Sequence, residues 1–418
     1  MQRQTRIWLG LGTALLVGST GVERVTVARE HPVADRTDTV PAQAQSAGPR
    51  VYVAQAEAAG EGGPNEGGGP VLGTITEFRL SSSDPGAFAF DGSAQVAGYV
   101  DLVSAAYSAA LEQAMSLQAA VETFVGSPSQ QTLADARMAW SHARDAYLRT
   151  EAFLFYAGPV DGPGGPFPRL GSWPIDPAVI EALIADEAQS LNFRALARLN
   201  TVEPVAKITT GLHVLEYLLW GADGALTADA FANASRRGEY ANSLSQLLVN
   251  DLTVLSAAWA PGSNNYRAAV EAMDQRNALG RAFNGMTVLI GYELPLRRIG
   301  AGLFPANENF QPSPFSDSSE ADLAASFGGA RAVYFDTGID QLVRDTDPDL
   351  ADRVEAGFAA AEEAVGRMAA PYGRFLAPPS GSAERQTAEA AVKALTNLAR
   401  DLRQAGNRLG ILVVVPGM

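Results

Sequence analysis

The run GLHVLEYLLWG, residues 211–221, sets His213 three places ahead of Glu216 in a chain of 418 residues that has three histidines and no cysteine. On a helix, side chains three apart have Cβ atoms about 5–6 Å from each other. An imidazole nitrogen and a carboxylate oxygen at this spacing can converge on one cation, or hydrogen-bond to one another. The missing cysteine removes thiolate metal sites, disulfides and a cysteine nucleophile, so a metal here must be held by oxygen and imidazole nitrogen. Two such groups leave the sphere open, since iron or zinc takes roughly four to six ligands. No HExxH or ExxH run occurs, which sets aside the common helical zinc-protease motif and the ferritin-like di-iron pattern. No G-x-S-x-G elbow occurs either.

Projected on a helix at about 100° per residue, Thr209–Trp220 gathers Leu212, Val214, Leu215, Leu218 and Leu219 on one side. Thr209, Thr210, His213 and Glu216 fall on the other, together with Tyr217 and Trp220. Two large aromatics on a polar face predict that this face is covered by another helix or a cleft wall. Gly211 lets a neighbour approach closely, at some cost in helix propensity.

Further groups compete for the site. Glu151 shares a predicted helical face with Arg144, Tyr147 and Phe155 and reads either as a third metal ligand or as half of a buried pair with Arg144. His142 falls on the opposite face and reads as a surface or structural histidine. Glu293 precedes Arg297 by four, the ordinary ion-pair spacing, which competes with ligation. Asp317 and Glu320 have capping-box spacing ahead of an Ala-rich helix. Asp176, in the turn GSWPID, shapes the cleft or ligates.

The elements that must position these groups are helical. Tyr99, Val103, Tyr107, Leu111 and Met115 recur every four residues and mark a helix over 93–125. Others are predicted over 129–158, with Ser129 as cap, and over 177–198, 203–220, 227–259, 264–299, 320–345, 348–375 and 382–408. Period-two alternation is nearly absent, so the fold class expected is all-α, two tandem helical bundles, 93–260 carrying His213 and Glu216 and 261–418 following. The Gly- and Pro-rich loop DGPGGPFPRLGSWPIDP is long enough to line something, and ILVVV at 411–415 should pack on a bundle.

Ahead of the helices, residues 1–28 have the layout of a secretory signal: Arg3 and Arg6, an apolar run from Ile7 to Val17, then Thr26, Val27 and Ala28. Its removal would take the formal charge from −15 to −17. Residues 29–92, rich in Gly, Ala, Pro and acid, read as a flexible low-complexity tether that leaves the N-terminal segment disordered. An apolar patch at 71–80 could form a local strand. So acidic a chain is a poor partner for nucleic acid or anionic lipid and a better one for a cation. No integral membrane span is expected in the mature chain.

GLHVLEYLLWG resembles the GxHxxE signature of the imelysin family. ARDAYLRTEAFLFYAGPVDG at 143–162, GSWPID at 171–176, GYELPLRR at 291–298 and PFSDSSEADL at 314–323 are similar to further landmarks of that family, in the expected order, over roughly 93–410. Ser172 stands where an Asn commonly precedes the Trp-Pro turn, and FSDSS replaces a more usual FSD followed by Asn or Thr. The resemblance implies two helical bundles with a site at their junction. It also implies an exported metal-binding protein of iron acquisition at the periplasm or outer face of the cell envelope. Iron is the foremost cargo, with zinc or another divalent ion as the alternative, and an envelope iron-transport component is the implied partner. His213 and Glu216, helped by Glu151, would bind the metal, with Gly211, Arg144, Asp176, Glu293 and Asp317 around them. Two other readings stand beside this one: a metal-dependent peptidase of the imelysin type, and a structural or interaction protein with a vestigial site.

Overall fold

The four-residue stripe of the first helix starts as predicted and then turns away from the core. In α1 (Ser93–Gly126), Tyr99, Val103 and Tyr107 are buried, but Met115 is 56% exposed. An i+4 series drifts by roughly 40° at each step of a 3.6-residue helix, so Ala110, Ala114, Leu117, Val121 and Phe124 take over the buried face. The computed structural model describes residues 85–200, 207–232, 235–303, 311–369, 371–376 and 378–417. The secretory signal, most of the tether and the patch at 71–80 lie outside them. Within the last stretch read as tether, Phe88 and Phe90 pack against the core, and the Gly92 amide donates to Gln275 Oε1 at 2.7 Å.

Helix α2 (Gln130–Leu148) begins at a full capping box. The Thr132 amide donates to Ser129 Oγ, and the Ser129 amide donates to Thr132 Oγ1. It stops well short of the predicted end at Gly158. A 3-10 turn, Glu151–Phe153, follows, and then Phe155 and Ala157 adopt positive φ values of 72° and 53°. Such conformations cost non-glycine residues about 1–3 kcal/mol. The Asp161 carboxylate holds them in place by accepting from the Phe155 amide at 2.7 Å and the Gly158 amide at 2.8 Å.

The chain continues through α3 (Phe167–Leu170), α4 (Pro177–Ala185), α5 (Phe193–Leu199), α6 (Leu212–Trp220), α7 (Arg236–Trp259), α8 (Tyr266–Glu271) and α9 (Gln275–Val288). A π-helical segment, Leu289–Gly300, with Pro295 inside it, leads into the short α10 (Ala301–Leu303). Then come α11 (Ser319–Phe335), α12 (Ile339–Thr346), α13 (Pro348–Gly366) and α14 (Ala383–Arg408). No β-strand forms among the described residues, so the all-helical class holds.

Helix α1 packs on α2 and α7, and α6 lies against α2 and α7. Helix α14 packs on α13, α9 and the π-helical segment, while α11 touches α2, α9, α13 and that segment. Buried apolar side chains from Val96 to Val415 form one continuous cluster. The terminal ILVVV run contributes Ile411, Val413 and Val415 and turns Leu412 outward. Asn284 fixes it, donating to Leu412 O and accepting from the Val414 amide. Among the described residues no helix is long and apolar enough to cross a membrane.

Candidate functional site

Helix α6 starts later than its periodicity suggests, because Gly211 takes φ +102°, a region that glycine alone enters freely. A Cβ there would lie 2.8 Å from the Leu170 carbonyl oxygen, so the glycine also permits the close approach anticipated from its position. Thr209 and Thr210 precede the helix instead of belonging to its polar face. Thr209 is tied down from three sides: its hydroxyl donates to Leu196 O, its amide to Asn200 Oδ1, and its carbonyl accepts from Tyr240. The Trp140 indole donates to Leu212 O at 2.9 Å, fixing the first turn.

Every residue from Leu212 to Leu219 is buried, with His213 2% and Glu216 0% exposed. The polar face is therefore covered, as its aromatics imply. Trp220 meets Trp140 edge-on at 5.1 Å and lies under the Arg137 guanidinium. Tyr217 meets Phe315 edge-on at 5.2 Å and donates to Glu181.

His213 Nδ1 stands 3.6 Å from Glu216 Oε2, too far for a hydrogen bond. The two oxygens of Glu216 have opposite fates. Oε1 accepts from the Phe315 amide at 3.0 Å, the Ser316 amide at 2.8 Å and the Ser316 hydroxyl at 2.7 Å. Among the described residues Oε2 has no hydrogen-bond partner, and neither do Nδ1 and Nε2 of His213. Burial pushes the Glu216 carboxyl up to about 8, against the Ser316 hydrogen bonds, which favour the anion. Burial also holds His213 well below the usual imidazole range, with Arg144 and Arg298 acting in the same direction. The imidazole is therefore neutral, its metal-ligating form. The Trp173 ring lies over it at 6.4 Å.

Around this pair stand two ion pairs whose carboxylates are fully partnered, although Nε of Arg298 has no hydrogen-bond partner among the described residues. Arg144 grips Asp322 through Nε and Nη2, the shortest contact being 2.8 Å, and Ser313 also donates to Asp322. Arg298 Nη2 reaches both oxygens of Glu151, at 2.7 and 2.8 Å, and Ser326 donates to the same carboxylate. The expected Glu151–Arg144 pair is thus replaced by an exchange of partners. Because α2 ends at Leu148, Glu151 leaves the helical face it was predicted to share with Arg144 and sits on the 3-10 turn between α9 and α11. A Cβ on Gly285 would lie 2.1 Å from Ala152 O, which shows how closely α9 approaches that turn.

The other sequence candidates take separate places. Asp176 caps α4, accepting from the Ala178 amide. Glu293 is half-buried on the π-helical segment, and its carboxyl is raised by burial against the pull of Arg298 and then Arg297. Both the Arg297 expected from i+4 spacing and Arg298, at the i+5 closure of a π-helix, favour its charged form. Asp317 is exposed at φ +50°, and α11 begins after Ser318 with no side-chain cap, so the predicted capping box does not form. His142 is exposed, as expected.

Sequence reasoning missed Arg298, Asp322, Ser313, Ser316 and Ser326 as individual residues, although all but Ser313 and Ser326 lie inside segments singled out as landmarks. Asp322 and Ser326 are four apart on the buried face of α11 with Leu323 and Ala330. A carboxylate and a hydroxyl at helical spacing inside an otherwise apolar face were the available signal.

Comparison with known proteins agrees with the segments quoted at the outset. The family model described as imelysin matches residues 103–402. Iron-regulated protein A of Synechococcus elongatus is 25% identical over 320 residues, covering 72% of this chain and 83% of the relative. The crystal structure of an iron-regulated protein A precursor from Parabacteroides distasonis superposes with a TM-score of 0.61 at 20% identity, covering 75% of this chain and 94% of that one. An imelysin-like protein from Psychrobacter arcticum gives 0.60 at 18%, covering 78% and 99%. These likenesses carry the fold, and the match over 103–402 carries the family: the chain belongs to the imelysin family.

Proposed function

We propose that this chain is an exported metal-binding protein that takes an iron ion, or another divalent ion such as zinc, between His213 and Glu216 for iron acquisition at the cell envelope. The observation that carries the reading is the set of three buried atoms on one helical turn, Nδ1 and Nε2 of His213 and Oε2 of Glu216, that have no hydrogen-bond partner among the described residues. Buried polar groups are ordinarily satisfied, and each orphan costs about 1–3 kcal/mol. A cation between Nδ1 and Oε2 would partner two of the three, and nitrogen with oxygen is a donor set suited to iron or zinc.

The fit is that of an open site. Among the described residues no group of three or more His, Cys, Asp or Glu side chains could hold a metal. Water or the ligands an ion arrives with would fill the remaining positions. Glu151 could join only by giving up Arg298 and Ser326. An ion held by two protein atoms exchanges readily, which suits capture and delivery to an envelope transport component better than permanent residence. The nearby guanidiniums do not forbid a cation, because Asp322 and Glu151 neutralise them. The name of the Synechococcus elongatus relative, iron-regulated protein A, supports iron as the cargo, and the signal-like N-terminus supports export.

Metal content by mass spectrometry, measured on native protein and after incubation with ferrous, ferric or zinc salts, tests the reading. Stoichiometric uptake by wild type and its loss in His213→Ala are expected; equal uptake by both would sink it. Chelator-sensitive cleavage of an unstructured peptide, lost in Glu216→Ala, would move the assignment to a metal-dependent peptidase.

A further inference from the structure

We infer that Ser316 is the positioning residue of this site: with its own amide and that of Phe315 it occupies one oxygen of Glu216 completely, so that the ion is bound through Oε2 alone and binding tightens the Phe315–Ser318 loop. The inference rests on the metal-binding reading above and specifies how the carboxylate serves it. Three donors converge on Oε1 within 3.0 Å. A carboxylate oxygen has about two lone-pair sites, so Oε1 has no further capacity to bridge to a cation. Oε2 faces His213 Nδ1 and has no hydrogen-bond partner among the described residues. The carboxylate plane is fixed by the loop and the free oxygen is aimed by subtraction.

The loop is itself braced. Ser316 Oγ lies 2.8 Å from Ser318 Oγ, Phe315 packs edge-on against Tyr217, and Tyr217 is anchored on Glu181 and lies under the Arg237 guanidinium. Adjacent residues of one helical turn, Glu216 and Tyr217, thus hold adjacent parts of one loop. An ion on Oε2 would fix the carboxylate from its other end, and with it the one oxygen on which all three loop donors converge. Groups that orient a ligand in this way commonly contribute 10–100-fold to metal affinity.

The test uses the full mature chain and zinc as the probe. Ser316→Ala should weaken zinc binding about 10-fold or more by competition with a chromophoric chelator, and Ser316→Thr, which keeps the hydroxyl, should restore it to within about 2-fold. Zinc should also slow amide hydrogen exchange over residues 311–318 in wild type, and less so in Ser316→Ala. Independently of any loop variant, the infrared difference spectrum of zinc-loaded minus zinc-free wild type, with Glu216→Gln identifying the band, should show a carboxylate bound through one oxygen. A two-oxygen signature, or a Ser316→Ala affinity within 2-fold of wild type, would overturn the inference while leaving zinc binding by His213 intact. Absence of zinc binding in wild type, or its retention in His213→Ala, would instead remove the underlying reading and this inference with it.

Discussion

Two kinds of buried ionisable group lie side by side around α6, and they are treated in opposite ways. Glu151 and Asp322 have each been given an arginine and a serine. Glu216, no less buried, has been given three donors on one oxygen and none on the other, and the histidine beside it has none at all. Burial alone cannot explain the contrast, because it penalises every unpaired charge alike. The carboxylates of the first pair of sites are finished within the chain, even though Nε of Arg298 has no partner among the described residues. The second is left open to something outside it, and a group held open at a cost in stability is the usual mark of a functional site.

The contrast breaks most visibly at the finished pairs. Removing one partner strands a buried guanidinium, a loss of about 3–5 kcal/mol. Glu151→Gln and Asp322→Ala should each lower the urea midpoint by a corresponding amount, with far-UV circular dichroism checking that the helices persist. A loss below about 1 kcal/mol, the scale of exposed pairs, would mean that these carboxylates are not the finished counterpart of Glu216. Glu151→Gln sharpens the comparison further when its zinc affinity is also measured. Affinity retained keeps Glu151 with Arg298, whereas affinity lost as in Glu216→Gln makes it a third ligand.

How much of this was legible follows the range over which each signal acts. Helix existence was readable nearly everywhere, since α1, α7, α13 and α14 are set by periodicity within a few turns. Helix ends were less so: α2 stops at Leu148 because Asp161, from the following loop, stabilises positive φ at Phe155 and Ala157. His213 and Glu216 were visible as a pair because both lie on one turn. The partners of Glu151 were not, because Arg298 and Ser326 are 147 and 175 residues away, and no local spacing encodes such a match.

The open pair should respond next to its cargo. An ion present at about 100 times its Kd stabilises the state that binds it by about 2.7 kcal/mol, so zinc or iron should raise the Tm of wild type by several degrees. A chelator should reverse the gain. His213→Ala and Glu216→Gln should show no rise, and the Glu151 and Asp322 variants should show it from a lower baseline. A Tm indifferent to metal in wild type would favour a bundle whose site is vestigial.

The smallest effect concerns the metal-free protein and runs against the usual direction of active-site mutations. In Glu216→Gln the amide oxygen can still accept from Phe315 and Ser316, while the new NH2 group, starting near the 3.6 Å now separating Oε2 from Nδ1, can turn to donate to His213. Two orphan atoms acquire a partner, so near pH 5, where folded wild type holds its proton and the buried charge is absent from both, the variant should be more stable than wild type by on the order of 1 kcal/mol. The pH dependence fixes the cause. The Glu216 carboxyl titrates near 8 in the folded protein against 4.5 as its ordinary value, so between these values the native state holds a proton that the unfolded chain releases. That contribution to wild-type stability is fully present below pH 4.5 and is lost as pH rises through 8. The advantage of Glu216→Gln in metal-free urea unfolding should therefore widen from pH 5 to pH 8 and level off above it. With zinc bound the order should invert, because only the ionised carboxylate serves as ligand. A variant less stable than wild type in the absence of metal would show that Glu216 is retained for the fold, and the distinction between finished and open sites would lose its basis.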